Sequence, residues 1–255
     1  MSPLSFWQPR PAQPHLPLFI FFPGMDGTGK LLHKQIDGLA LKFDIRCMTI
    51  DSNDRTDWAG LVDRSLTLID QELTAGQELY LCGESFGACL AMQVAGRFAK
   101  GNATRTAENV AKLVLINPAS SFMRLPWLAW SSALSGLLPD ALYPTSAKIL
   151  VNFLIATDRV AATERQNLVD AMLSVHPQAA AWRLNLLRRF QVHSIVPDII
   201  DIPVLLIAGE LDRLLPSLLE VKILQRLLPK SKTTLLPSSG HACLLEKDIY
   251  LVDLL

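Results

Sequence analysis

Leu79-Tyr80-Leu81-Cys82-Gly83-Glu84-Ser85-Phe86-Gly87-Ala88 decides how the rest of the chain is read. An apolar run ends at Cys82, a small-residue helical pattern begins at Phe86, and GxSxG lies between them. A strand that turns this sharply into a helix forces its central residue into a strained backbone and tolerates almost no side chain two residues to either side. Gly83 and Gly87 meet that requirement, and the turn lifts the Ser85 hydroxyl above the end of its strand. Alone the pattern occurs by chance in many sequences; its place between a strand and a helix carries the reading.

Working outward, short apolar runs bounded by turn residues alternate with longer amphipathic stretches, the pattern of a parallel sheet covered on both faces. Residues 16–22, 45–50, 79–82, 113–116, 204–208 and 233–236 read as strands, most of them too uniformly apolar to have a wet face. Residues 30–40, 58–73, 86–99, 217–228 and 244–254 read as helices. The expected fold is α/β: a mostly parallel sheet of about six strands with helices on both faces. The alternation breaks once, between 121 and 198, where a leucine-rich insert holds Trp127, Trp130 and Trp182 and is divided by Pro126, Pro139, Pro144, Pro177 and Pro197. It reads as a helical cap inserted before the penultimate strand. The expectation is one domain over 1–255, with its core in 16–120 and 199–255 and its cap in 121–198.

Composition narrows the partners. Twenty-four basic side chains balance twenty-four acidic ones, so no net field draws in a phosphate backbone, and nucleic acid is not an expected partner. Cys47, Cys82, Cys89 and Cys243 lack paired metal-ligand spacing, and Cys47 and Cys82 fall in strand-like apolar runs where free thiols serve as small core residues, a pattern that suits a reducing compartment. The apolar runs are far shorter than the roughly 18 residues that span a bilayer. The first 17 residues carry five prolines and no secretory pattern, so the expected location is cytoplasmic, with peripheral membrane contact left open. The oligomeric state is not legible.

A serine hydroxyl is a poor nucleophile until a base takes its proton, which directs attention to a histidine in the loop after the last strand. His241 sits there, behind Ser238-Ser239-Gly240; His15, His33, His176 and His193 fall in the leading coil, the first helix and the cap. The imidazole needs a carboxylate at the end of the penultimate strand, and Glu210 and Asp212 both offer one. Asp212, deeper in the loop and followed by Pro216, is preferred. The chain order serine, acid, histidine is that of the α/β-hydrolases. Donors for a tetrahedral oxyanion are expected from the backbone amides of Phe86, just after the nucleophile, and Met25, in the glycine-rich turn after the first strand. That turn is no phosphate cradle, because Gly29-Lys30-Leu31 lacks the Ser or Thr that must follow the lysine. With no clustered His, Asp or Glu and no dinucleotide fingerprint, no cofactor or metal is expected.

Four segments, Phe22-Pro23-Gly24-Met25-Asp26-Gly27-Thr28-Gly29, Asp54-Arg55-Thr56, Gly83-Glu84-Ser85-Phe86-Gly87-Ala88-Cys89-Leu90 and Asn117-Pro118-Ala119-Ser120-Ser121-Phe122, together resemble the hydrolase part of the plant phytyl ester synthase and diacylglycerol acyltransferase family. This is the esterase/lipase/thioesterase group of plastids and cyanobacteria. The resemblance runs over most of 16–122 and is looser beyond. It implies acyl chemistry on long-chain lipids, moving fatty acyl groups from galactolipid, acyl-carrier protein or acyl-coenzyme A onto phytol or diacylglycerol. The plant members carry a second, acyltransferase-like part with a His-x4-Asp motif, which this chain, ending at Leu255, is expected to lack. His193 and Asp198 match that spacing only where the cap returns to the sheet.

Three functions follow as expectations. The first is a serine hydrolase of lipid-like acyl esters or thioesters working through an acyl-enzyme on Ser85. The second is an acyltransferase in which an alcohol replaces water. The third is a non-catalytic lipid-binding protein of the same fold. Trp127, Leu128, Trp130, Leu134, Leu137 and Leu138 form an apolar stripe that packs the cap on its base, some of it lining a route to Ser85 for an acyl chain.

Overall fold

A computed structural model describes residues 4–101, 110–124 and 150–255, apart from the side chains of 123–124. Its sheet holds seven strands among those residues: β1 (Leu4–Trp7), β2 (Leu18–Phe22), β3 (Asp44–Ile50), β4 (Leu79–Glu84), β5 (Val110–Ile116), β6 (Val204–Gly209) and β7 (Ser231–Leu236). They lie in the order β1-β3-β2-β4-β5-β6-β7, parallel throughout except where β1 pairs antiparallel with β3.

The uniformly apolar runs are explained by the two faces. On β2, Leu18, Ile20 and Phe22 point into one hydrophobic cluster, Phe19 and Phe21 into the other. Leu113 and Leu115 alternate with Val114 and Ile116 on β5 in the same way, as do Val204, Leu206 and Ala208 with Leu205 and Ile207 on β6. Successive side chains of a strand face opposite ways, so a strand buried on both sides needs an apolar residue at every position. The edge strand β7 (SKTTLL) is covered less, and its side chains are mostly half-buried or exposed.

The six expected strands are present with ends shifted by up to three residues, and a seventh was missed. The opening 17 residues are not all coil: Leu4–Trp7 adds β1 to the edge, with Leu4 opposite Ile50 and Trp7 opposite Cys47. Its signal is four residues long and flanked by Pro3 and Pro9, and an edge strand tolerates such neighbours where a central one does not.

The helices with both ends among the described residues are α1 (Ile36–Leu39), α2 (Trp58–Glu72), α3 (Phe86–Ala99), α4 (Ala162–Ser174), α5 (Pro177–Arg189), α6 (Val192–Ile199), α7 (Ser217–Leu227) and α8 (Leu251–Leu254). Asp57 caps α2 by accepting from the Gly60 amide. Two expected helices are broken. Residues 30–40 form a 3-10 segment, Lys30–Gln35, before the single turn α1. Residues 244–254 form only a 3-10 turn, Cys243–Leu245, and then α8. Tertiary bonds outweigh helical propensity at both places. The Gln35 amide donates to the carbonyls of Leu244 and Ile249 and accepts from the Leu251 amide, while Glu246 pairs in a β-bridge with Val160.

Between β5 and β6 the chain places α4, α5 and α6. Pro197, expected to divide helices, lies inside α6 near its end, where the helix loses one backbone bond. Trp127, Leu128, Trp130, Leu134, Leu137 and Leu138 lie outside the described residues. Within the described part, Trp182 is packed against the core and donates its indole N–H to the Thr56 carbonyl. Trp58 stacks on Phe86 with centroids 4.9 Å apart and meets Phe190 edge-on at 5.8 Å. Its indole N–H donates to Leu186, so α2, α3 and the end of α5 meet on one aromatic cluster. All four cysteines are free and buried. No described helix is long and apolar enough to cross a membrane.

Candidate active site

The carboxyl ends of the parallel strands deliver the expected residues to one rim of the sheet. Ser85 follows β4 directly and adopts φ 55°, ψ −114°, a left-handed-side conformation that costs a non-glycine residue about 1–3 kcal/mol. Its surroundings hold it there: the Ser85 amide donates to the Ile116 carbonyl at 2.9 Å, and the Ser85 carbonyl accepts from the amides of Ala88 and Ala119, both at 3.2 Å. A Cβ on Gly83 would lie 2.2 Å from the Gly87 carbonyl oxygen, and one on Gly87 would lie 2.0 Å from that of Phe22. Both glycines of the motif are therefore demanded by close backbone approach.

His241 and Asp212 arrive on the loops after β7 and β6 and touch: Nδ1 of His241 is 2.7 Å from Oδ2 of Asp212, with side chains 5% and 1% exposed. The carboxylate is saturated otherwise. Its Oδ2 also accepts from the Ser217 hydroxyl at 2.5 Å, and its Oδ1 from the amides of Leu214 and Leu215, both at 2.9 Å. Glu210, the alternative acid, is exposed. Burial pushes the Asp212 carboxyl up, but the charge and hydrogen bond of His241, the Leu215 amide and the Ser217 hydroxyl outweigh it and hold the group below its ordinary value. Burial pushes His241 down, and the charge and hydrogen bond of Asp212, with the charge of Glu84, raise it on balance above its ordinary value. An imidazole with this partner has its Nδ1 proton directed to the carboxylate and its Nε2 left for a second proton transfer.

The Ser85 hydroxyl donates no hydrogen bond among the described residues. Its link to His241 runs through the backbone. Ile116 accepts the Ser85 amide, and the next residue, Asn117, donates its side-chain amide to the carbonyls of His241 at 2.6 Å and Gly240 at 3.3 Å. The Asn117 Oδ1 accepts from the Gly209 amide at 2.8 Å. One fully buried side chain thus joins the ends of β5 and β6 to the histidine loop. From the other side Glu246, also fully buried, accepts from the Ser239 hydroxyl and the Gly240 amide, each at 2.8 Å, and from Arg159 at 2.8 Å.

The loop after β2 passes beside Ser85, since a Cβ on Gly24 would lie 3.8 Å from Cβ of Ser85. Gly24, Met25, Asp26 and Gly27 form a β-turn closed by Gly27 N–H to Gly24 O at 3.1 Å. Neither the Met25 amide nor the Phe86 amide donates a hydrogen bond among the described residues. Phe86 opens α3, where the first amides of a helix have no intrahelical acceptor.

Glu84, the variable residue inside the motif, is 8% exposed, and its Oε1 is buried without a hydrogen-bond partner among the described residues. Burial pushes its carboxyl up; the His241 charge opposes this, Asp26 and Asp212 add to it, and the group stands at about 7. Sequence reasoning missed Glu84, Asn117, Ser217 and Glu246. Asn117 lay in a motif already singled out, and its positive φ of 42° is the kind of position Asn tolerates. The others carried no signal.

Nε2 of His33 faces Glu164 of α4 at 2.7 Å, and Asp198, the spacing partner of His193, pairs with Lys100 at 2.8 Å. Among the described residues no group of three His, Cys, Asp or Glu is placed to hold a metal ion.

Residues 19–253 match the family model described as "Alpha/beta hydrolase family". The chain is 30% identical over 270 residues to "Phytyl ester synthase 1, chloroplastic" of Arabidopsis thaliana, a match covering 94% of this chain and 36% of that protein. It is 35% identical over 143 residues to "Phytyl ester synthase 2, chloroplastic" of the same plant, covering 54% of this chain and 18% of that protein. The chain therefore spans about a third of the length of the first plant protein. Among solved structures, the fold is shared with an esterase from a Rhodococcus species, with a TM-score of 0.73 at 16% identity over 98% of this chain and 91% of that one.

Proposed function

The chain belongs to the alpha/beta hydrolase family, and from that premise we propose that it cleaves acyl esters or thioesters of lipid-like substrates through Ser85, His241 and Asp212. Ser85 Oγ attacks the acyl carbonyl while His241 Nε2 takes its proton, and Asp212 holds the imidazole tautomer and balances the imidazolium. The tetrahedral oxyanion is received by the amides of Met25 and Phe86. The intermediate collapses as His241 gives the proton to the departing alcohol or thiol, and a water activated by the same imidazole then releases the acyl group. The observation that carries this reading is the 2.7 Å contact between Asp212 and His241 on the rim where Ser85 is held in its strained turn. The Ser85–His241 hydrogen bond belongs to the substrate complex, since such bonds often tighten only there. In this reading the chain is one domain whose helices α4–α6, between β5 and β6, form part of a cap on the sheet core.

The test is labelling with a fluorophosphonate probe together with turnover of p-nitrophenyl esters of increasing chain length. Wild type should be labelled and active, and Ser85→Ala neither. Absence of wild-type labelling, or labelling that survives in Ser85→Ala, refutes the reading.

A second reading, acyl transfer to an alcohol such as phytol or diacylglycerol, is supported by the likeness to the two plant phytyl ester synthases. Its steps are the same up to the acyl-enzyme, and the difference is a partition between water and alcohol. Product analysis with an acyl donor and a long-chain alcohol separates the two: wax-type ester among the products supports transfer, free fatty acid alone supports hydrolysis.

A further inference from the structure

We propose that Arg183, on helix α5 outside the sheet, is a positioning residue that sets the oxyanion loop, so that this loop is complete only when α5 is docked. The proposal rests on the serine-hydrolase reading above. Arg183 is 2% exposed and its guanidinium reaches two different loops: Nη1 donates to the Met25 carbonyl at 2.7 Å and Nη2 to the Asp51 carbonyl at 2.9 Å. Met25 and Asp51 lie in the segments that follow β2 and β3, so one side chain fixes the spacing of two neighbouring strand ends.

The turn it grips is the one that passes Ser85. In the β-turn Gly24–Gly27, the peptide between Met25 and Asp26 takes no part in the closing hydrogen bond and is the unit most free to reorient. Arg183 holds the carbonyl of that peptide, and Asp26 is fixed on its other side by accepting from the Thr28 amide and hydroxyl at 2.8 and 2.5 Å. The Met25 amide lies in the adjoining peptide plane, which is held by its Gly24 carbonyl accepting from the Gly27 amide at 3.1 Å; with both planes held, the turn about Met25 that presents the amide is fixed. Gly27 belongs to the same device: its φ is +68°, and a Cβ there would lie 2.7 Å from Nη1 of Arg183. That glycine leaves the space the guanidinium occupies.

Two features make the grip stiff. A guanidinium withdrawn from water must keep its donors satisfied, so letting go of either carbonyl is costly. Its planar fork also spans two acceptors at once, which a lysine ammonium does not reproduce. Further bonds seat α5 on the loop after β3: the His176 amide donates to Ser52 O at 3.0 Å and Trp182 to Thr56 O at 2.9 Å.

The experiment compares the full chain with Arg183→Met, which keeps the stem, and Arg183→Lys, which keeps the charge. The readouts are kcat and KM for a p-nitrophenyl ester and the affinity of an aliphatic trifluoromethyl ketone, whose adduct on Ser85 carries the oxyanion. A misplaced oxyanion donor should lower kcat by about 10- to 100-fold in Arg183→Met and by less in Arg183→Lys. KM should stay within about threefold, and ketone affinity should fall in proportion to kcat/KM. Wild-type activity with variants folded and within about threefold of it in kcat and ketone affinity overturns the proposal, as does a loss confined to KM. Failure of both variants to fold also overturns it, because the role is then structural for the whole chain. A wild type that neither turns over ester nor labels at Ser85 is a different outcome, the failure of the serine-hydrolase reading itself.

Discussion

The two halves of the candidate site are held by different parts of the molecule. Asp212 and His241 are held from the sheet and from the segment just before α4: Asn117 after β5 holds the histidine carbonyl, Ser217 at the start of α7 holds the carboxylate, Glu246 holds the bend at Ser239 and Gly240, and that segment adds Arg159 on Glu246 and the Leu154 carbonyl on the Ala242 amide. The loop carrying Met25 is instead held by Arg183 from α5. On the proposed reading, proton transfer leans on the sheet ends and the segment before α4, while oxyanion binding leans on α5 through Arg183. The contrast predicts that the two functions can be lost separately, one with the contacts of Asn117, Ser217 and Glu246 and one with the docking of α5.

The largest effect should come from breaking the sheet-held half. Asp212→Asn keeps the shape but reverses the hydrogen-bond preference at His241 Nδ1, and kcat should fall by about 10⁴-fold with little change in KM. Steady-state kinetics with a short-chain ester checks this. Because Arg183 stays in place, trifluoromethyl ketone affinity should fall less than kcat, whereas in Arg183→Met the two should fall together.

Asn117→Ala sharpens the comparison at the next level down. It strands the buried Gly209 amide and the His241 and Gly240 carbonyls, and should lower unfolding free energy by about 3 kcal/mol, as read by urea denaturation. Activity at low temperature should drop by about tenfold or more through a displaced His241. A variant as stable and as active as wild type would show that Asn117 does not hold the histidine loop.

Glu84 interacts with both halves, since the charges of His241, Asp26 and Asp212 all act on it, and its own charge acts on the thiols of Cys82 and Cys243. Its carboxyl, raised from 4.5 to about 7, keeps a proton in the folded chain that the unfolded chain has already lost. That contribution is fully present below pH 4.5 and is lost as pH rises through about 7. Glu84→Gln should remove the slope, so its stability relative to wild type should grow between pH 5 and 8 by at most about 3 kcal/mol. The acid limb of kcat/KM should also move to lower pH, because the Glu84 charge raises His241. Parallel stability curves and coincident pH–rate limbs for the two proteins would show that Glu84 does not ionise in the site.

These contrasts also explain what could be read in advance. Parallel strands buried on both faces leave a plain mark, which is why 204–208 and 113–116 were legible, and Ser85 was legible because GESFG needs two glycines at fixed offsets. His241 and Asp212 followed from where loops must fall after known strands. β1 was hidden because four residues between prolines make no periodic signal. The 3-10 turns were hidden because the Gln35 side chain bonds distant backbone and the Glu246 backbone pairs with Val160, so 30–40 and 244–254 read as helices they do not form. Arg183 was the least legible of all. An arginine on an amphipathic helix ordinarily faces water, and nothing in WRLNLLRR marks one of its three arginines as buried.

The account stands on a covalent acyl-enzyme at Ser85. Mixing wild type with a p-nitrophenyl ester, quenching with acid within a turnover and mapping peptides by mass spectrometry tests it most directly. The account predicts the acyl mass on the peptide containing Gly83-Glu84-Ser85-Phe86-Gly87, and none in Ser85→Ala. Turnover with no acylated peptide, or with the acyl group on another residue, would contradict it.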